Sequence, residues 1–177
     1  MKLAHSNLVE RVDVRDHAAG LQPAYGLGGY VETLMLVERL HRELIDTVKA
    51  ALEAEGRTDP TAVQALMLYH LAEREMTASE LGSRGLYQGS NVSYNLKKLV
   101  EGGFVEYRRC TTDGRAVRLS LSDSGQEVHA VLERLFDGHA TAYETLAGES
   151  GIAPAALPAA LRLIRQSRMA AATHAVS

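Results

Sequence analysis

Within eight residues, Asn91, Ser93, Tyr94, Lys97 and Lys98 offer amide, hydroxyl, phenol and ammonium groups, with no carboxylate among them. Such groups suit a polyanion: amides and hydroxyls match the hydrogen-bonding edges of bases, and ammonium groups match phosphates. They act together only if they share a surface, and the spacing of their apolar neighbours provides one. Val92, Leu96 and Leu99 recur at i, i+4 and i+7, the stripe of a helix opening near Ser90. At about 100° per residue, Ser90, Tyr94 and Lys97 point away from that stripe, with Asn91, Ser93 and Lys98 on its flanks. Asn95 falls near the stripe's edge, where a structural role is the alternative. An ordinary solvated helix face mixes both signs of charge, whereas here Glu101 appears only at the C-terminal end. The helix N-terminus adds its own partial positive charge.

The elements around this helix are those needed to aim it. Thr77-Ala78-Ser79-Glu80 is a capping box, in which the Thr77 hydroxyl and the Glu80 carboxylate satisfy each other's backbone N–H. A short helix therefore starts at Thr77, bracketed by Gly82 and Gly85. Gly102-Gly103 ends the second helix. Phe104–Arg109 and Ala116–Leu121 then read as two strands, the second alternating Val117, Leu119 and Leu121 against Ala116, Arg118 and Ser120. Thr112-Asp113-Gly114-Arg115 closes them, because Asp-Gly tolerates the positive φ of a tight hairpin turn. The hairpin carries Arg108, Arg109, Arg115 and Arg118. Helix, turn, helix and basic hairpin make a winged helix-turn-helix, a device for gripping duplex DNA. Charge agrees with this: residues 97 to 118 sum to +3 in a chain of net charge −3, so the remainder carries −6.

Residues 79–106, SELGSRGLYQGSNVSYNLKKLVEGGFVE, resemble the MarR family of bacterial winged-helix regulators, whose pattern is roughly S-E-L-A, a turn, S-T-V-S, a basic helix and G-L-V. The resemblance extends from Thr61 to about Arg134. Within the family the chain looks most like the alphaproteobacterial branch that includes regulators of L,D-transpeptidase genes, on the SNVSYNLKKLVE stretch. The resemblance implies that Arg115 enters a minor groove and that Asp113 orients it, a role that suits a guanidinium electrostatically. Three residues depart from the pattern. Gly85 stands where a core Leu is usual and Leu86 where the turn Gly is usual. Tyr94 takes a position often held by Arg, from which its ring can pack on a sugar or a thymine methyl. The candidate DNA-binding residues are Thr77, Ser90, Asn91, Ser93, Tyr94, Lys97, Lys98, Arg108, Asp113 and Arg115.

Outside this region the chain reads as helical. Tyr30–Glu55 places Leu34, Val37, Leu40, Leu44, Val48 and Leu52 at three- and four-residue spacing, a stripe too long for one small winged domain to cover. Pro60 is expected to begin a helix through about Arg74, with Val63, Leu66, Met67, His70 and Leu71 inward. Ser122–Ala147 reads as a long helix capped by Ser122 or Asp123, broken by Gly148 to Gly151, and Ala153–Thr173 as a last one. Long flanking helices of this kind call for a partner. A two-fold homodimer is the economical solution, since it presents two reading helices to successive major grooves, and the resemblance implies the same dimer; an intramolecular helical cap is the alternative. The fold class is thus mostly α with a small β-hairpin wing. Residues 1–29 form an N-terminal arm and loop, 30–59 with 122–177 a dimerisation region, and 60–121 the winged domain, in one intertwined whole.

The expected function is a dimeric, sequence-specific transcription regulator, a repressor, acting on a pseudo-palindromic operator. The resemblance implies a small aromatic or phenolic effector held between the dimer helices and the winged domain. Met35, Arg39, Met67 and His70 are the candidate lining, with plain core as the preferred reading of both methionines. The competing functions are a winged-helix module for protein contacts or nonspecific architecture, and an enzyme without a recognisable motif. Enzyme readings find little: no Gly-x-Ser-x-Gly elbow, no Cys/His arrangement in context and no close carboxylate pair. Gly26-Leu27-Gly28-Gly29 lacks the Gly-Lys-Ser/Thr ending of a phosphate loop. Seven histidines without an i, i+4 pair argue against zinc, and no cofactor or metal is expected. Cys110, the single cysteine, excludes an internal disulfide; flanking arginines make oxidation sensing conceivable, against the plainer reading of a small packed side chain. Composition is that of a soluble globular domain, at 46% hydrophobic and 23% charged, with neither a membrane span nor a signal peptide, so the cytoplasm is the expected location.

Overall fold

In the computed structural model, residues 27–72, 77, 80–81, 89–109 and 117–174 are described, the side chains of 89, 90, 108, 109, 117 and 169–174 excepted. Seven elements follow in order: α1 (Leu27–Ala54), α2 (Ala62–Ala72), α3 (Gly89–Glu101), β1 (Val105–Arg109), β2 (Val117–Leu121), α4 (Asp123–Ser150) and α5 (Ala156–His174). The architecture is the expected one, helical with a two-stranded antiparallel hairpin. The chain divides into two compact units, Leu34–Ala140 and the described parts of Met1–Thr33 with Thr141–Ser177.

Among the described residues, those buried in the core of the larger unit are all apolar. Val48 and Leu52 of α1, most of α2, Leu81, the α3 stripe, Val105, Leu119, Leu121 and Val128, Val131 and Leu132 of α4 form one buried cluster. Helix α2 sits at its centre and packs against α3 and β2. The expected one-sided burial of α2 is corrected here: Ala62, Ala65 and Leu68 are buried together with Leu66, Met67 and Leu71. A short helix enclosed on most sides has no need of amphipathic periodicity.

The start of α2 also differs from expectation. Pro60 lies before the helix, after a cis Asp59–Pro60 bond, and the cap is Thr61. Its hydroxyl accepts the Gln64 N–H at 3.4 Å while Gln64 Oε1 accepts the Thr61 N–H at 3.0 Å, a second capping box. The expected box at Thr77 is present, with Thr77 N–H donating to Glu80 at 2.7 Å and Glu80 N–H to Thr77 Oγ1 at 3.2 Å.

Two boundaries of the long helices move. Gly28 and Gly29, expected in a loop, lie inside α1, because a glycine costs a helix only about 1 kcal/mol. Gly148 lies inside α4, which continues to Ser150. Along α1 the anticipated stripe is buried only towards its C-terminal end. Val37 and Leu40 are exposed, as are Val31, Met35 and Leu36 beside them. Among the described residues no helix is long and apolar enough to cross a membrane.

Candidate nucleic-acid interface

Helix α3 is held from beneath and at its end. Val92, Leu96 and Leu99 are buried to within a few per cent, which fixes which face turns outward. Its C-terminus closes in a Schellman arrangement: Phe104 N–H donates to the Leu99 carbonyl at 2.9 Å and Gly103 N–H to that of Val100 at 3.0 Å. Gly103 has φ +74°, a conformation that any side chain would strain. Phe104, half-buried, then packs against the core and leads into β1.

The same corner is tied to α4. Ser122 N–H donates to the Phe104 carbonyl at 3.1 Å, and the Ser122 hydroxyl donates to the Gly103 carbonyl while accepting the Gly125 N–H at 3.2 Å. One serine thereby caps α4 and fastens the end of α3. Gly125 packs so closely that a Cβ there would stand 2.2 Å from the Phe104 carbonyl oxygen.

On the outward face Asn91, Ser93, Tyr94, Lys97 and Lys98 are all exposed, Tyr94 at 61%. Ser90 lies in the first turn, which carries no acidic residue. Five predicted contact positions thus share one accessible surface. Lys97 and Lys98 are not idle, however. Glu101 accepts a hydrogen bond from Lys98 at 2.9 Å and lies 3.7 Å from the Lys97 ammonium, an ion pair that sequence reading did not anticipate. The hydrogen bond from Lys98 is the main cause holding the Glu101 carboxyl below its ordinary pKa; desolvation opposes it, and the two lysine charges add to it. The same hydrogen bond raises Lys98.

Asn95 is half-buried, in keeping with its place at the stripe's edge. Its amide donates to the Asn91 carbonyl at 2.8 Å and accepts from Gln64 Nε2 of α2 at 3.2 Å. Gln64 was not singled out from sequence, although Thr61-x-x-Gln64 is itself a capping-box pattern.

In the hairpin, β1 and β2 pair with Val105 opposite Leu121, Tyr107 opposite Leu119 and Arg108 opposite Arg118. The register stacks two arginine positions across the strands. Asp113, Arg115 and Cys110 lie outside the described residues. Of the candidate effector-binding residues, Met35 and Arg39 are exposed on α1, His70 is half-buried next to Tyr69, and Met67 has no exposed surface. The four therefore do not share one environment. Among the described residues no group of three or more His, Cys, Asp or Glu is placed to hold a metal ion.

Residues 58–116, which span the interface from the α2 cap into the hairpin, match the MarR family. The chain is also 34% identical over 110 residues to the exopolysaccharide II synthesis transcriptional activator ExpG of Rhizobium meliloti, covering 62% of this chain and 57% of that protein. The chain therefore spans somewhat over half the length of that relative. Its fold is similar to the transcription regulator MarR from Oenococcus oeni, with TM-score 0.61 and 12% identity over 76% of this chain and 97% of the other. It is also similar to the M. tuberculosis transcriptional regulator MOSR in complex with DNA, with TM-score 0.56 and 20% identity over 77% and 96%.

Proposed function

We propose that this chain is a homodimeric transcription regulator of the MarR type that binds a pseudo-palindromic DNA operator. The observation that carries the reading is helix α3: a fully buried apolar stripe on one side and, on the other, exposed Asn91, Ser93, Tyr94, Lys97 and Lys98 behind a first turn without acid. Asparagine and serine read base edges, lysines hold phosphates, and Tyr94 packs against sugar or a thymine methyl. By the family resemblance Arg115, oriented by Asp113, enters the neighbouring minor groove, and Arg108 is a further candidate contact. Thr77 starts the supporting helix and presents its hydroxyl to the backbone. The ExpG relative, a transcriptional activator, and the DNA complex of MOSR support the same reading.

The exposed leucines and valines of α1 support the dimer, which sets two α3 helices about one DNA turn apart. A small aromatic or phenolic effector that alters this spacing would alter affinity. Met35, Arg39 and His70 are accessible to such a ligand, whereas Met67 serves the core. The location is cytoplasmic, where the operator is.

Selection of bound sequences from random duplex DNA tests the reading. A palindromic consensus is the expected result; absence of enrichment would favour a winged module for protein contacts or architecture. Arg115→Ala should weaken binding to the selected operator at least tenfold with an unchanged melting temperature. Unaltered affinity would remove the hairpin tip from the interface.

A further inference from the structure

Asn95 stands 31 residues from Gln64, yet the two amides close a chain of three hydrogen bonds that runs from the Thr61 N–H to the Asn91 carbonyl. The Thr61 N–H requires an acceptor, which fixes Gln64 Oε1 towards the start of α2. The Asn91 carbonyl accepts a second hydrogen bond beside its helical one, which holds Asn95 Nδ2 towards the first turns of α3, since the amide oxygen would be repelled there. What remains is Gln64 Nε2 and Asn95 Oδ1, complementary and 3.2 Å apart. Neither amide can flip without opposing two like groups. Both are half-buried, so a broken link leaves polar groups that water replaces incompletely.

Resting on the reading of α3 as the DNA-reading helix, we propose that Gln64 and Asn95 are positioning residues for sequence discrimination. They lock the first turns of α3, where Asn91 and Ser93 lie, to the capped start of α2. The apolar stripe alone resists separation of the helices but allows α3 to slide and roll, because dispersion contacts have little directional preference. A hydrogen-bonded amide pair restricts those motions through its dependence on distance and angle. Base-edge contacts need that precision; phosphate contacts made by flexible lysines tolerate its loss. Disrupting the link therefore lowers affinity for the operator while leaving affinity for unrelated duplex in place.

The test uses the full chain as wild type, Gln64→Met, Asn95→Leu and the double variant, substitutions that change no charge. Affinity is measured for the selected operator and for a scrambled duplex, with melting temperature alongside. Each single variant is expected to lower the operator-to-scrambled ratio about tenfold, and the double variant no further than either, because one link is lost in all three. Scrambled-duplex affinity and its salt dependence should stay within about twofold of wild type. An unchanged ratio, additive losses, or equal losses on both duplexes would overturn the proposal while a discriminating wild type leaves the DNA-binding reading intact. A wild type without discrimination would end both. Should Asn95→Leu fold poorly, Gln64→Met decides, since its site lies at the helix start and its effect on the ratio is independent of that variant.

Discussion

Glu101 is the residue at which the electrostatics of α3 are balanced. By pairing with Lys98 and standing near Lys97, it occupies both ammonium groups when no DNA is bound. Exposed pairs of this kind are weak, so in the proposed complex phosphate would displace the carboxylate readily, while the carboxylate would still repel the DNA backbone. Glu101→Gln should therefore tighten binding by roughly two- to fivefold on operator and unrelated duplex alike, with the gain shrinking as salt rises. Fluorescence anisotropy titrations at low and high salt would measure it. No gain at low salt would place the lysines away from phosphate. Lys97→Ala makes the complementary prediction: the log–log salt slope should fall by about 0.9, the contribution of one phosphate contact on B-DNA.

At the scale of elements, much of the site was legible because its signals are local. The Thr77 capping box, the Val92–Leu96–Leu99 stripe and the strands around Asp113-Gly114 each lie within a few residues, and all the described parts fall where their spacing puts them. What the sequence left open depends on distant partners. The Gln64–Asn95 link joins two helices, and the burial of α2 on most sides comes from neighbours remote in sequence; separately, the inclusion of Gly28, Gly29 and Gly148 in helices reflects propagation past weak local breakers. The corner that joins α3 to α4 is of the same kind, since nothing local marks Gly125 as special. Gly125→Ala drives a methyl into the Phe104 carbonyl and should destabilise by about 1–3 kcal/mol as overpacking. Gly138→Ala, also in α4 but with open space around it, should stabilise by about 0.4–1 kcal/mol. Urea denaturation midpoints of the two variants would thus move in opposite directions; movement in the same direction would refute the close packing of the corner.

For the whole molecule, the decisive fact is the unequal burial along α1. Val48 and Leu52 belong to the core, whereas Leu36 is 51% and Leu40 58% exposed, one turn apart on a common face. A water-facing row of leucines and valines on a long helix is what an isologous interface needs, because a two-fold axis sets the row against its own copy and makes each contact twice. Two leucines per protomer, each burying the half of its surface still exposed for about 0.8–1.5 kcal/mol, supply about 3–6 kcal/mol to such an interface. Replacing both by glutamate removes that contribution and sets four carboxylates against one another. Leu36→Glu/Leu40→Glu should therefore be a folded monomer at micromolar concentration by sedimentation velocity, with its melting temperature reduced only by loss of the partner. Its operator affinity should fall by orders of magnitude, because a monomer engages one half-site at a time, while weak binding to unrelated duplex persists. A double variant that still sediments as a dimer would move the interface off this stretch of α1. A monomeric variant with full operator affinity would instead show that one α3 and one hairpin suffice for recognition.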